Sequence, residues 1–132
     1  MTALTERKLI TRRTGNLFNF PVAANAIIRE GGLTVLDATF AKPGATALNL
    51  IGVGIARETV DNTGGANGAK TVTVEKGIYP FVNAGGVTRA HIGSPAWIVD
   101  DQTVAHDSGS NTRSSFGRIV DVNGDGVWVH TL

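Results

Sequence analysis

The stretch IVDVNGDGVWVH, residues 119–130, decides the fold class, because apolar and polar side chains alternate on both sides of the turn residues NGDG. Such alternation predicts half-buried strands, and Asn, Gly and Asp accept the backbone angles of a tight hairpin. A turn about Gly124 and Asp125 predicts four valines on one face, with Val122 opposite Val127 and Val120 opposite Val129. The other face then carries Ile119, Asp121, Trp128 and His130, a mixed surface suited to cover by a second subunit.

The rest of the chain continues this pattern of short strands and turns. Val, Ile and Thr number 14, 9 and 15, and β-branched side chains favour strands. Strands are predicted at residues 26–29, 33–40, 48–58, 70–75, 78–82, 96–100, 116–122 and 127–131, with one short helix over 22–28 as an alternative start. The Gly-Gly pairs at 31–32, 64–65 and 85–86 are unevenly spaced, so they predict loops and not a repeat. We therefore predict an all-β fold, either a jelly-roll-like sandwich or a small barrel.

The charge distribution divides the chain into an arm and a body. The 132 residues carry a net charge of +1, but residues 1–13 hold four cations against one glutamate, which leaves −2 on the remainder. The cations are Arg7, Lys8, Arg12 and Arg13. We predict an extended basic N-terminal arm over residues 1–20 and a single β domain over residues 21–132. Twenty extended residues reach roughly 65 Å, enough to cross a neighbouring subunit.

Composition excludes several classes of function. The chain has no cysteine, which removes disulfides, thiolate zinc sites and cysteine nucleophiles. No apolar run has the length of a signal-peptide core or of a transmembrane helix. The near-neutral charge lacks the electrostatic footprint of a nucleic-acid binder. We therefore expect neither nucleic acid nor a membrane as a partner.

Three motifs have parts of a chemical site, and each is incomplete. D-x-N-x-D-G at 121–126 matches the first half of a calcium loop, but its twelfth position is Leu132 instead of a bidentate glutamate. The glycine-rich residues 64–71 have Ala69 where a phosphate-binding loop needs glycine. His106, Asp107 and Ser108 are sequence neighbours, which rarely converge as a triad. We predict no catalytic residue, metal site or cofactor, and a hydrolase using His106 and Asp107 is the weakest alternative.

The two tryptophans, Trp97 and Trp128, both lie in apolar runs. Such positions favour packing in the core or at a subunit interface, so both are candidate subunit-interface aromatics. The alternative is a stacking platform for a glycan.

Three segments in the second half carry a family resemblance. They are GIYPF at 77–81, IGSPAWIVDDQTV at 92–104, and FGRIVDV at 116–122 followed by VWV at 127–129. In this order they resemble the capsid decoration (cement) proteins of tailed bacteriophages. The resemblance covers residues 70–132, and GIA at 54–56 matches an earlier strand of the family. Residues 1–49 match poorly, and the basic arm is an addition to the pattern.

The resemblance implies a structural protein of the virion and not an enzyme. Such a protein is made in the host cytoplasm, binds the outer surface of the phage head and bridges subunits of the major capsid protein. It implies a homodimer or homotrimer, no small-molecule substrate, and an arm whose cations contact the shell. The alternative function is a carbohydrate-binding β-sandwich that is displayed on the virion or secreted.

Overall fold

The computed structural model of the chain describes residues 2–9 and 15–131, and within them every regular element is a strand except one 3-10 turn at Arg89–His91. The strands are β1 (Leu17–Pro21), β2 (Ile27–Ile28), β3 (Leu33–Asp37), β4 (Phe40–Pro43), β5 (Leu50–Ala56), β6 (Val60–Asp61), β7 (Thr71–Glu75), β8 (Ile78–Asn83), β9 (Pro95–Ile98), β10 (Thr103–Ala105), β11 (Ser115–Asn123) and β12 (Gly126–His130). The predicted all-β class is confirmed. The helix alternative over residues 22–28 is wrong, because that segment contains a turn and β2.

The first half of the chain folds into a five-stranded antiparallel sheet with the order β1-β7-β5-β3-β4. Its two edge strands meet at one end, where Val22 forms a parallel bridge with Ala41 and the Ala23 N–H donates to the Ala41 carbonyl at 3.0 Å. The short strands β2 and β6 pair separately. Since β1 begins at Leu17, the last residues of the segment predicted as an arm belong to this sheet.

The second half forms a closed five-stranded barrel with the order β10-β8-β12-β11-β9. Within the barrel, β8 and β10 are parallel neighbours, and every other pair of neighbouring strands is antiparallel. Closure removes free sheet edges, which would otherwise be open to pairing with other chains. This pairing is that of a small barrel, one of the two architectures that the sequence left open.

The five-stranded sheet of the first half (β1, β3, β4, β5 and β7) has the same topology as the five-stranded barrel of the second. In each half the first strand (β1 or β8) is antiparallel to the last (β7 or β12) and meets the third (β4 or β10) in parallel. In each half the second strand (β3 or β9) lies between the third and the fourth (β5 or β11). The registers also agree, because Val22 opposite Ala41 corresponds to Asn83 opposite Val104.

The three Gly-Gly pairs lie in loops, as predicted, and the repeat has a different basis. The repeat lies in strand pairing and in short matching segments, LFNF at 17–20 against IYPF at 78–81 and TVTVE at 71–75 against GVWVH at 126–130. Glycine spacing did not reveal it, because the loops between equivalent strands differ in length.

Because of two bulges, every third residue of β11 faces the barrel core. The pairing with β9 shifts around Gly117, and the pairing with β12 shifts around Val120. Each bulge inserts one residue and turns the following side chains to the other face. As a result Phe116, Ile119 and Val122 all pack into the barrel core, three residues apart.

The hairpin register is as predicted near the turn and different beyond it. Val122 pairs with Val127, so the prediction for the turn is confirmed. After the bulge, Val129 pairs with Ile119, although the sequence predicted Val120 at that place. Ile119 is consequently fully buried, and Val120 is 39% exposed.

The apolar residues form two clusters that meet between the halves. One cluster lies within the first sheet, and the other fills the barrel and includes Leu33 and Val35 of β3. Gly52 of β5 lies so close to Phe116 of β11 that a Cβ there would stand 2.7 Å from the Phe116 Cβ. The Ser114 hydroxyl adds a polar link, since it donates to the Ala47 carbonyl at 2.7 Å. The first sheet thus covers one side of the barrel.

The short linker between the halves is held by residues from both chain ends. The Gly77 N–H donates to the Thr131 hydroxyl, and the Gly77 carbonyl accepts from the Thr131 N–H and hydroxyl, at 2.8–3.0 Å. Beside it, the Lys76 N–H donates to the Asn16 carbonyl at 3.0 Å. Thr131 is buried, so these bonds are not replaced by water when they are lost.

Thr131→Val is expected to lower the free energy of unfolding by about 1–3 kcal/mol, because it keeps the shape of the side chain but leaves the partly buried N–H of Gly77 without its acceptor. The measurement is the urea midpoint. Thr71→Val, at an exposed position of β7, is the matched control and is expected to change stability by less than about 0.5 kcal/mol. Equal midpoints for the two variants would show that the Thr131 hydroxyl does not hold the linker.

Candidate functional site

Two of the four arm cations fall within the described ranges. Arg7 and Lys8 are exposed, and residues 2–9 contain no helix or strand. Arg12 and Arg13 lie outside the described residues. The exposed cations are open to an approaching surface, and their contact with a capsid stays a prediction.

The two tryptophans lie at opposite ends of β11. Trp97 of β9 pairs with Ser115, and Trp128 of β12 pairs with Asp121. Six residues along a strand separate these partners by roughly 20 Å. Both indoles are half-buried, and the Trp128 Nε1–H donates to Asn123 Oδ1 at 3.0 Å. The two rings therefore do not share one platform, and each belongs to a different part of the barrel surface.

Trp128 stands beside a row of exposed apolar side chains on β8. Ile78 and Val82 are 52% and 51% exposed, and Pro80 between them is exposed and directly opposite Trp128. We call these four residues, Ile78, Pro80, Val82 and Trp128, the apolar wall. Contiguous exposed apolar surface of this kind marks interaction sites. The wall is not evident from the sequence, because Tyr79 and Phe81 between its residues are apolar or aromatic as well.

One edge of the apolar wall carries charge. Arg118 and Asp121 of β11 point outward, opposite His130 and Trp128. Arg118 Nη1 donates to the Gly93 carbonyl at 2.7 Å, and Asp121 Oδ1 accepts from the Val122 N–H at 2.8 Å. Both side chains are exposed, so each has capacity for a further charged partner.

Two histidines stack where two barrel loops meet. The rings of His91 and His106 are nearly parallel, with centroids 4.2 Å apart. The Thr88 N–H donates to His91 Nδ1 at 3.0 Å, and His106 Nδ1 lies 3.9 Å from Asp107 Oδ2. The stack joins the loop after β8 to the loop after β10. No group of three or more metal-ligating side chains occurs among the described residues.

The polar groups of the incomplete motifs are used in turns. Asn123 Oδ1 accepts from the Asp125 N–H as well as from Trp128, which explains these residues as a hairpin. Asp107 Oδ1 accepts from the Gly109 N–H and Arg113 Nη1, both at 3.0 Å. The Ser108 hydroxyl accepts from the Asn111 N–H at 3.1 Å. These residues order their own loops.

The glycine-rich loop borders a shallow polar cavity of about 400 Å³ lined by residues 58–61 and 69–71. Hydrogen bonds from the hydroxyl and N–H of Thr63 lower the pKa of Asp61, which stays ionised. Lys70 Nζ donates to the Asp61 carbonyl at 2.6 Å and so braces the loop. Elsewhere, partial burial raises the pKa of the Tyr79 phenol above its ordinary value. Neither shift brings two reactive groups together.

The chain matches no protein-family model, no curated protein and no solved structure in the comparisons made with each. Within the described ranges, no helix is long and apolar enough to cross a membrane. The fold defines the class as an all-β protein that contains a closed five-stranded barrel.

Proposed function

We propose that this protein is a capsid decoration protein, which binds the outside of a tailed-phage head and bridges subunits of the major capsid protein. The observation that carries the proposal is the extent of the family resemblance. The three resembling segments supply all five strands of the closed barrel, β8 to β12. A resemblance that spans a complete structural unit supports a shared role better than one scattered over unrelated elements.

The arm is the proposed contact with the shell. Its exposed cations, Arg7 and Lys8, precede a body of opposite net charge. An arm of this kind binds an acidic surface while the folded body stays outside it. The body then ties neighbouring shell subunits together through contacts of its own.

Bridging stabilises a shell by mass action. A ligand that binds only the assembled lattice adds RT ln(1 + [L]/Kd) per site. When several arms belong to one oligomer, the first contact raises the effective concentration of the others. The proposed role therefore needs an oligomer and a binding surface, and the outcome is a shell that resists the pressure of packaged DNA.

Deleting residues 1–14 is expected to lower occupancy on purified mature capsids at least tenfold, because it removes all four cations. The deletion ends before Asn16, whose carbonyl holds the linker, and before β1, so the body is expected to keep its circular dichroism spectrum and thermal midpoint. Occupancy is measured by electron microscopy of capsids incubated with each protein.

A double variant, Arg7→Glu with Lys8→Glu, changes the charge of the arm but keeps its length. It is expected to bind more weakly than the natural protein, with a difference that shrinks as salt is added. Full occupancy by the deletion variant would remove the arm from the proposal. Absence of the natural protein from both mature and precursor shells, together with glycan-array binding that depends on Trp97 or Trp128, would favour the carbohydrate-binding alternative.

A further inference from the structure

The repeated topology provides an internal comparison for the apolar wall. The positions equivalent to Pro80 and Trp128 in the first half are Asn19 and Thr73, as their strand registers show. There the Asn19 side chain donates to the Thr73 hydroxyl at 3.2 Å, so these two positions are polar. The counterpart of Ile78 is Leu17, and both are 52% exposed. The same backbone therefore does not require apolar side chains at Pro80 and Trp128. With them the exposed apolar surface is continuous in the second half, and its exposure calls for a partner.

The partner approaches the face of the wall and not its edge. Pro80 has no N–H to offer to an additional strand. Along the same strand, the N–H of Val82 donates to the Gln102 carbonyl and that of Ala84 to the Val104 carbonyl. The β8 backbone is thus engaged by β10 or blocked by proline, which leaves the side chains of the wall as the contact surface.

The two charges beside the wall are able to pair with the same two charges on a second copy of the chain. Arg118 and Asp121 both point outward on β11, one cation and one anion, with the exposed Val120 between them. A partner surface of a single sign would be attracted by one and repelled by the other. A second copy turned by two-fold symmetry satisfies both, because a two-fold interface brings residue i against j and j against i.

We infer that the apolar wall is the contact between two copies of this chain, packed face to face about a two-fold axis that crosses the strands. In this arrangement Arg118 faces the partner's Asp121, and Asp121 faces the partner's Arg118. Ile78 packs against the partner's Pro80, and the Trp128 side chain contacts the partner's His130. The inference gives a surface to the self-association in the proposed function and rests on that function only for its biological use.

A charge-exchange experiment on the full chain tests this contact. Sedimentation velocity is expected to show the natural protein as a dimer, and Arg118→Asp and Asp121→Arg each to raise the dimer dissociation constant at least tenfold, because each variant creates two like-charge contacts. An equimolar mixture of the two variants is expected to form dimers again, since every contact then joins opposite charges. The double variant is expected to dimerise with itself and not with the natural protein.

The control is Ile51→Asp, which places a charge at a 58% exposed isoleucine of β5, in the first sheet and not in the barrel, and is expected to leave the dissociation constant unchanged. Asp121→Arg keeps the Arg118 bond to Gly93, so it reports on the interface even if Arg118→Asp perturbs the barrel. A monomeric or trimeric natural protein, or a mixture that fails to recover dimers, would overturn the inference. None of these measurements uses capsids, so their failure is distinct from a failure of capsid binding.

Discussion

Replacing Gly54 with alanine is expected to lower the free energy of unfolding by about 4 kcal/mol or more. Gly54 has φ +130°, where L side chains carry about 1–3 kcal/mol of strain. A Cβ at this position would also stand 2.4 Å from the Glu75 carbonyl oxygen. That oxygen belongs to the backbone of β7, so no rotamer change relieves the contact. With ordinary domain stabilities of about 5–15 kcal/mol, the variant is expected to unfold at low urea concentration or fail to accumulate as folded protein.

Gly64→Ala measures the cost of the backbone strain without a steric contact. Gly64 has φ +76°, and a Cβ there would meet nothing within 4 Å. Its replacement is expected to cost about 1–2 kcal/mol, the penalty of the left-handed conformation alone. Urea unfolding of both variants gives the difference. If both lose the same stability, the close approach of β5 to β7 is not what requires glycine at residue 54.

The same contact recurs in the second half and explains why glycine is needed there as well. Gly117 has φ +51°, and its Cβ would stand 2.1 Å from the carbonyl oxygen of His130. Gly54 and Gly117 occupy the same place in the two units, on the fourth strand beside the end of the fifth. Five strands curve strongly when they enclose a small core, and bulges and glycines are the usual means of bending a strand. The curvature of each unit therefore requires glycine at residues 54 and 117.

The strands with regular alternation were predictable from the sequence, and the short ones were not. All eight predicted strands overlap observed ones, but β1, β4, β6 and β10 were missed. The predicted strand at 33–40 runs through the turn between β3 and β4. In the structure Ala38 makes this turn with a left-handed φ of +57°. Alanine gives no sequence signal for such a turn. β1 was assigned to the arm because it directly follows the basic segment.

The candidate site was predictable only in part for a similar reason. Trp128 was recognised as an interface candidate, whereas the row on β8 was not. IYPFV at 78–82 is apolar throughout, so alternation does not show which side chains face inward. Closure of the barrel decides this, because it turns Phe81 into the core and leaves Ile78 and Val82 outside. Such information comes from the pairing of distant strands and is absent from any local pattern.

The bulge at Val120 provides the second large expected effect, because it exchanges the inner and outer positions of two neighbouring residues. Ile119→Ala is expected to lower the free energy of unfolding by about 2–5 kcal/mol, since it removes a fully buried side chain and leaves a cavity beside Val129. Val120→Ala is expected to cost less than about 1 kcal/mol, because that side chain is already partly in water. Simple alternation through the hairpin predicts the opposite order.

Threonine substitutions at the same two positions remove the difference in strand propensity, since threonine is also β-branched. Ile119→Thr is expected to be as damaging as Ile119→Ala, because it buries a hydroxyl where the core offers apolar neighbours. Val120→Thr is expected to be nearly neutral, with its hydroxyl in solvent. When the slope of the unfolding free energy against urea concentration is the same for all four variants, their urea midpoints compare their stabilities directly. A larger loss at residue 120 than at residue 119 would mean that β11 pairs without the bulge. The spacing of three residues that places both Arg118 and Asp121 on the outer surface would then be absent as well.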